Sequence, residues 1–205
     1  MHQILKDSVD NSISYADYFR LMQKLVQNKF TTGRDISEAN INYTMLNEKR
    51  MSRWNKKLEI SEAYKAKIIV FNSEIIWLVI TESWCGDAAH LLPVMNKVAE
   101  LNPNINLRIV LRDNNEGLMN QFLTNGSKSI PKLIMMDADS LKVINSYGPR
   151  PSTATAMAEN YKKEHGQLTS EFKEDLQRWY NKDKGKTTID DLIKLLETHT
   201  PNFSL

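Results

Sequence analysis

The chain contains one cysteine, Cys85, which stands where a hydrophobic segment gives way to a helix-forming one. Residues 75–80 are all apolar, which is typical of a strand buried on both faces. After Cys85, apolar residues recur at three- and four-residue spacing, which predicts an amphipathic helix. At such a strand-to-helix turn, free backbone N–H groups and the helix dipole favour a thiolate. The position is compatible with a nucleophile or with a small buried side chain.

The other reactive side chains give weaker signals. His90 lies five residues after Cys85, about 140° around a helix from the cysteine, so a role as its base is not favoured. His2, His165 and His199 show no metal-ligand spacing, and the sequence contains no phosphate-binding glycine loop and no His-Glu-x-x-His motif. We therefore predict neither a metal nor a cofactor.

Composition narrows the classes of partner. The 27 basic and 25 acidic residues are interleaved and leave a formal charge of +2, which predicts no nucleic-acid partner and no membrane partner. A single cysteine cannot form an internal disulfide, so any disulfide of Cys85 joins another molecule. The N-terminal residues show no apolar signal segment, and no apolar run approaches the roughly 18 residues of a membrane span. These features predict a cytoplasmic protein.

The cysteine motif resembles that of the thioredoxin family. Trp84, Cys85 and Gly86 follow a hydrophobic strand, and the family's active site reads Trp-Cys-Gly-Pro-Cys in the same context. Pro93 stands eight residues after Cys85, where the thioredoxin helix carries its proline. The resemblance implies that Cys85 occupies the place of the family's attacking thiol.

A second segment carries the resemblance further along the chain. Residues 129–134, Ser-Ile-Pro-Lys-Leu-Ile, begin 44 residues after Cys85 and resemble the family's cis-proline element. The resemblance implies a cis bond between Ile130 and Pro131, facing the cysteine. It also implies an α/β fold, a thioredoxin-like mixed sheet of about four strands flanked by helices.

The motif departs from the family at three positions. Ala88 replaces the second cysteine, Asp87 replaces the helix-opening proline, and Val79 replaces the buried acid that assists proton transfer in thioredoxins. Two roles are open for Asp87. It stabilises the start of the helix, because carboxylates are favourable in a first turn, or it takes part in proton transfer. With no second thiol in the motif, a mixed disulfide at Cys85 would persist until an external thiol resolved it.

The thioredoxin-like core is expected over residues 65–150, between an N-terminal helical extension (1–64) and a C-terminal helical region (151–205), all in one compact domain. Residues 1–12 are polar and are predicted to be loosely ordered. Further strands are predicted over 105–111, 133–136 and 141–147, and helices over 15–29, 37–58, 60–70, 116–123, 152–165, 169–180 and 188–198. The loop 112–115 should lie at the same sheet edge as Cys85, because ligands bind at the carboxyl ends of parallel strands.

Two cationic features lie near these elements. Residues 48–57 contain five basic side chains, which fit a solvated helix face better than an anion-binding patch. Lys132 follows the cis-proline position, and we expect it to be solvated and not catalytic.

The first functional hypothesis is monothiol thiol–disulfide exchange. In it Cys85 is the single nucleophile, and a protein or a low-molecular-weight thiol or disulfide is its partner. The predicted substrate-binding residues are Trp84, Gly86, Asp87, Ile130 and Pro131. The alternative is a non-catalytic module that binds an extended peptide in the groove between Trp84 and Pro131. A third hypothesis is a thiol sensor whose Cys85 is oxidised to sulfenic acid.

Overall fold

The computed structural model describes residues 1–199; residues 200–205, the end of the predicted C-terminal region, lie outside it. Its elements, in chain order, are α1 (His2–Asp10), β1 (Ile13–Ser14), α2 (Tyr15–Gln27), α3 (Glu38–Lys57), α4 (Glu62–Ile69), β2 (Ile75–Thr81), α5 (Ala88–Glu100), β3 (Ile105–Leu111), a 3₁₀ turn (Arg112–Asn114), α6 (Glu116–Met119), β4 (Lys132–Asp137), β5 (Val143–Tyr147), α7 (Ser152–His165), α8 (Ser170–Asp183) and α9 (Lys186–Glu197).

The sheet has the strand order β1-β3-β2-β4-β5, with β2 at its centre. β2 pairs in parallel with β3, from Ile75 opposite Ile105 to Thr81 opposite Leu111, and antiparallel with β4. β5 pairs antiparallel with β4 and forms one edge. Every residue of β2 is buried, as the uninterrupted apolar run requires. The predicted thioredoxin-like mixed sheet is confirmed.

One strand of the sheet was not predicted. β1, only two residues long, pairs antiparallel with Ile109 and Arg108 of β3. Two residues are too few to produce the alternation by which a strand is recognised in a sequence. The sheet therefore has five strands instead of about four.

The prediction that residues 1–12 are loosely ordered was wrong. Residues 2–10 form α1, which buries Leu5 and Ser8. Arg108 holds the end of this segment, because its guanidinium donates to the hydroxyl and the carbonyl of Ser12. The segment is polar because most of its residues face solvent, but Leu5 is buried and Ile4 and Val9 pack against the core.

Two other predicted elements are shorter in the structure. The helix expected over 116–123 is limited to Glu116–Met119, and the strand expected over 141–147 begins at Val143. Leu141 has a φ of +54°, a left-handed conformation that interrupts a strand. The other predicted helices and strands are present, with ends that differ by a few residues.

Helices from both extensions pack on the same core as the sheet. The buried cluster contains Tyr18 and Met22 of α2, Trp54 of α3 and Leu192 of α9, together with the strands. α5 is buried along nearly its whole length and lies between the sheet and these helices. In the part of the chain that is described, no helix has the length and apolar character needed to cross a membrane.

Candidate functional site

Cys85 lies between the end of β2 and the start of α5, as the sequence predicted, and faces the cis-proline segment. The Ile130–Pro131 bond is cis. The thiol of Cys85 donates to the carbonyl oxygen of Ile130 across 3.3 Å. Cys85 is only 7% exposed. The structure therefore brings together the two segments on which the thioredoxin resemblance depends.

Two opposing influences act on the thiol. Burial raises the pKa of Cys85 to about 12, and the negative charge of Asp87 contributes in the same direction. The backbone N–H groups of Ala88 and Asp87 point toward the sulfur and, with Arg150, act to lower the pKa. Burial outweighs them, so the thiol is protonated at neutral pH in this conformation.

A third segment approaches the cis-proline. Gly148 follows β5 with a φ of +108°, and a Cβ placed on it would lie 2.3 Å from the carbonyl oxygen of Pro131. Only glycine allows that approach. The following bond, Gly148–Pro149, is also cis. The loop that begins at Gly148 places Arg150 next to Asp87, at the start of α5.

Asp87 is held by that arginine. Its carboxylate forms an ion pair with Arg150, with Oδ2 2.9 Å from Nε, and accepts a hydrogen bond of 2.9 Å from the hydroxyl of Tyr180. The Asp87 side chain makes no capping bond to α5. Burial raises the pKa of Asp87, while Arg150 and Tyr180 act in the opposite direction. The carboxylate thus connects α5, the loop after β5 and α8.

Both ring nitrogens of His90 are hydrogen-bonded to other side chains, and its ring is stacked on a tyrosine. Its Nδ1 accepts from Nε1 of Trp54 at 2.9 Å, so the ring proton sits on Nε2, which donates to Oε1 of Gln177 at 2.8 Å. Its ring stacks on Tyr180, with 4.3 Å between centroids. Burial lowers the pKa of His90 to about 4, which keeps the ring neutral at physiological pH.

The loop that precedes Cys85 is fastened to the N-terminal extension through Ser83. The Ser83 hydroxyl lies within hydrogen-bond distance of the hydroxyls of Thr31, Thr32 and Thr44, and its backbone N–H donates to Thr32 Oγ1. The Ser83 carbonyl accepts from Nδ2 of Asn47 at 2.9 Å. All five residues are buried. The polar cluster fixes the loop to α3 and to the segment that precedes it.

Trp84 is half-buried under residues from two other loops. The guanidinium carbon of Arg112 lies 4.9 Å from the centre of its ring, so the predicted proximity of the loop 112–115 is confirmed. A Cβ added to Gly33, whose φ is +89°, would lie 3.2 Å from Trp84 Nε1. Trp84 is therefore covered by the extension as well as by the core.

Lys132 is not solvated, contrary to our prediction. It is 6% exposed, and burial lowers its pKa. The residue belongs to β4 and faces the interior beside Ile80 of β2. The expectation failed because the lysine is the first residue of a central strand.

The predicted site residues Trp84, Cys85, Gly86, Asp87, Ile130 and Pro131 lie on two adjoining segments. Sequence reasoning missed Arg50, Arg150, Gln177 and Tyr180, which come from distant parts of the chain. The one available signal was the aspartate at a buried helix start, because a buried charge needs a partner. No group of three or more His, Cys, Asp or Glu side chains within residues 1–199 could hold a metal ion.

The central parallel strands, the antiparallel β4 and β5, and the cysteine that faces a cis-proline define a thioredoxin-like α/β protein. The chain belongs to the thioredoxin family, since residues 33–162, more than half of its length, match the family model described as Thioredoxin. The match extends beyond the predicted core on both sides.

Two solved structures are similar to the fold. One is a protein of unknown function from Pseudomonas aeruginosa, determined at 1.5 Å, with a TM-score of 0.60, 17% identity, and coverage of 92% of this chain and 99% of that one. The other is an HIV epitope scaffold with a TM-score of 0.61, 18% identity, and coverage of 92% and 100%. At these identities the likeness concerns the fold alone. No curated protein matches the chain.

Proposed function

We propose that this protein carries out thiol–disulfide exchange through Cys85 alone, with an external thiol completing the cycle. The observation that carries the proposal is the position of the sulfur, 3.3 Å from the Ile130 carbonyl and facing cis-Pro131, with the backbone N–H groups of Asp87 and Ala88 directed at it. Those donors stabilise a thiolate once the thiol has lost its proton.

The exchange has two steps. An extended substrate pairs with the backbone of Ile130 and competes for the carbonyl that the thiol now occupies. Cys85 gives its proton to solvent and its thiolate attacks one substrate sulfur; the Cys85–substrate disulfide forms, and the other sulfur leaves as a thiolate that takes up a proton. An external thiolate then attacks the substrate sulfur of the mixed disulfide; a disulfide forms between that thiol and the substrate sulfur, and Cys85 leaves as a thiolate that takes up a proton from solvent.

The protonated thiol makes a definite kinetic prediction. In the absence of a docked substrate, Cys85 should react with iodoacetamide far more slowly in the folded protein than in urea. The rate should keep rising up to pH 10 without a plateau, because the pKa is raised to about 12.

The decisive experiment measures the mixed disulfide itself. Folded protein is incubated with 2-hydroxyethyl disulfide, and the adduct at Cys85 is quantified by mass spectrometry, with Cys85→Ser as the control. We expect an adduct that added thiol removes. Adduct formation in urea but none in the folded protein up to pH 10 would exclude the exchange.

The burial of the thiol favours a second candidate, the non-catalytic peptide-binding module. A protonated, 7% exposed cysteine can serve as a packing residue under the groove between Trp84 and Pro131. In that case Cys85→Ser should leave peptide binding nearly unchanged. The raised pKa disfavours the sensor hypothesis, because oxidation to sulfenic acid requires thiolate character and, unlike the proposed exchange, involves no docked substrate that competes for the Ile130 carbonyl.

A further inference from the structure

Two nitrogen donors converge on Gly86, the residue after Cys85. A Cβ built on Gly86 would lie 3.6 Å from Nη1 of Arg50 and 3.8 Å from Nε2 of Gln177. Arg50 reaches this point from α3 and Gln177 from α8, so the two extensions meet beside the cysteine.

Both donors are fixed in place by buried partners. Arg50 Nη1 donates to Oδ1 of Asn47 at 2.8 Å, and Asn47 is held in turn by the Ser83 carbonyl. His90 donates to Oε1 of Gln177, which leaves the amide nitrogen of Gln177 as the end that faces Gly86. Asn47 and His90 are 0% and 2% exposed. The donors are therefore positioned before any ligand arrives.

The donors lack an anionic partner. Arg50 forms no ion pair within residues 1–199, and the structure gives the Gln177 amide nitrogen no acceptor there. Asp87 acts on Arg50 electrostatically, but its oxygens are bound to Arg150 and Tyr180. The same holds for the other basic residues of α3: none of Lys49, Arg53, Lys56 and Lys57 is ion-paired in the described chain.

We propose that Arg50 and Gln177 form an anion-binding subsite beside Cys85, and that the external thiol or disulfide exchanging with Cys85 is a small molecule that carries a carboxylate. A guanidinium and a primary amide together offer the N–H groups that a carboxylate accepts. The proposal rests on the exchange function proposed above and names the chemical class of its partner.

The short distance between Cys85 and the donors, and the low exposure of the cysteine, both favour a small-molecule partner. Gly86 directly follows Cys85, and consecutive Cα atoms are about 3.8 Å apart, so the donors lie within about one residue of the cysteine. Side chains of α3 and α8 approach Gly86, and the cysteine is 7% exposed. This narrow access favours a small molecule over the surface of a folded protein.

The test compares an anionic and a neutral disulfide. Rates of adduct formation at Cys85 are measured for 3,3′-dithiodipropionate and 2-hydroxyethyl disulfide in about 0.15 M salt, which screens distant charges. For each protein variant, the rate with the anionic disulfide is divided by the rate with the neutral one. This ratio is then divided by the ratio measured for the same variant in urea, which gives a corrected ratio. Arg50→Gln should lower the corrected ratio about tenfold, the effect expected for a lost charged hydrogen bond.

Lys49→Gln is the matched control. This substitution removes the same charge one residue away, from an exposed side chain on α3. The corrected ratio should change less than twofold, because the Lys49 side chain is not part of the proposed subsite. An Arg50→Gln ratio equal to that of the unmodified protein overturns the subsite. A corrected ratio of one in the unmodified protein also overturns the subsite, while the exchange function stands. A preference found only with acidic peptide disulfides also overturns it.

If neither disulfide reacts, the exchange function fails. A binding measurement then tests whether the anion-binding subsite exists. Cys85→Ser protein is titrated with S-methylglutathione, an unreactive carboxylate, and followed by NMR at the Arg50 Nε–H and Gly86 N–H signals. A Gly86 N–H shift that disappears in the Cys85→Ser/Arg50→Gln variant supports the subsite. The absence of shifts in Cys85→Ser overturns it.

Discussion

The buried ring of His90 shows how a titratable residue acquires a structural role. Both of its nitrogens are bonded, to Trp54 and to Gln177, and one face is covered by Tyr180. A proton on Nδ1 would break the bond from Trp54, because both partners would then be donors. The histidine five residues after the cysteine therefore stabilises the contact between α3, α5 and α8.

Stability should consequently depend on pH through His90. The pKa in the folded protein is lowered to about 4 from 6.5, so above pH 6.5 the stabilisation is fully present. It is lost as the pH falls toward 4, because the unfolded chain binds the proton first. The loss should be about 3 kcal/mol, since one pKa unit corresponds to about 1.4 kcal/mol.

Urea denaturation at several pH values between 7 and 4 measures this loss. In His90→Gln the free energy of unfolding is expected to be lower at pH 7, where a buried partner is missing, but to depend less steeply on pH. Equal slopes in the two proteins would contradict the assignment.

At the scale of elements, the face that carries the candidate site is built from three loops that meet at short range. In the turn before α5, Cys85 contacts the Ile130 carbonyl of the segment before β4, and in the loop after β5, Gly148 approaches the Pro131 carbonyl. Gly148 lies so near the Pro131 carbonyl that an added Cβ would be 2.3 Å from its oxygen. This close approach requires both a positive φ and the absence of a side chain.

Gly148→Ala should therefore be among the most damaging single changes in the chain. Its Cβ would overlap the Pro131 oxygen at 2.3 Å, and its φ of +108° is unfavourable for alanine. We expect a loss of at least 3 kcal/mol in the free energy of unfolding, measured in urea.

Gly126→Ala separates the clash from the backbone effect. Gly126 also has a positive φ, +75°, but a Cβ there would meet nothing within 4 Å. Its loss should be about 1 kcal/mol. Similar losses in the two variants would show that the close approach to Pro131 is not maintained in solution.

The elements differ in how far the sequence predicts them. β2 and α5 carry periodic apolar patterns that decide their type locally, and the motif residues 84–86 with Pro131 identify the fold. β1 is too short for any pattern, and α1 packs on the core through three apolar residues, Ile4, Leu5 and Val9, within a mostly polar segment. The partners of Asp87 could not be found at all, because Arg150 and Tyr180 are 63 and 93 residues away and only the folded chain brings them together.

At the scale of the whole molecule, the extensions supply part of the core of the thioredoxin-like sheet. Trp54 of α3, Tyr180 of α8 and Leu192 of α9 belong to the same buried cluster as β2. Since residues of both extensions and of the sheet share one buried cluster, we propose that residues 1–199 fold as one cooperative unit.

Unfolding in urea should then give coincident transitions by far-UV circular dichroism and by tryptophan fluorescence. Leu192→Ala, at a site that is 0% exposed, should shift both transitions together by 2–5 kcal/mol. Early loss of helical signal while the fluorescence of the buried Trp77 persists would instead indicate that the C-terminal helices form a separate unit.

The Ser83 cluster has a practical consequence for protein engineering. Anyone transplanting residues 83–88 onto a smaller thioredoxin scaffold would separate Ser83 from the threonines and Asn47 that satisfy its hydroxyl, N–H and carbonyl groups. Each buried polar group left without a partner costs about 1–3 kcal/mol. Residues 31–47 should therefore be moved together with the loop, as a single transplantable module.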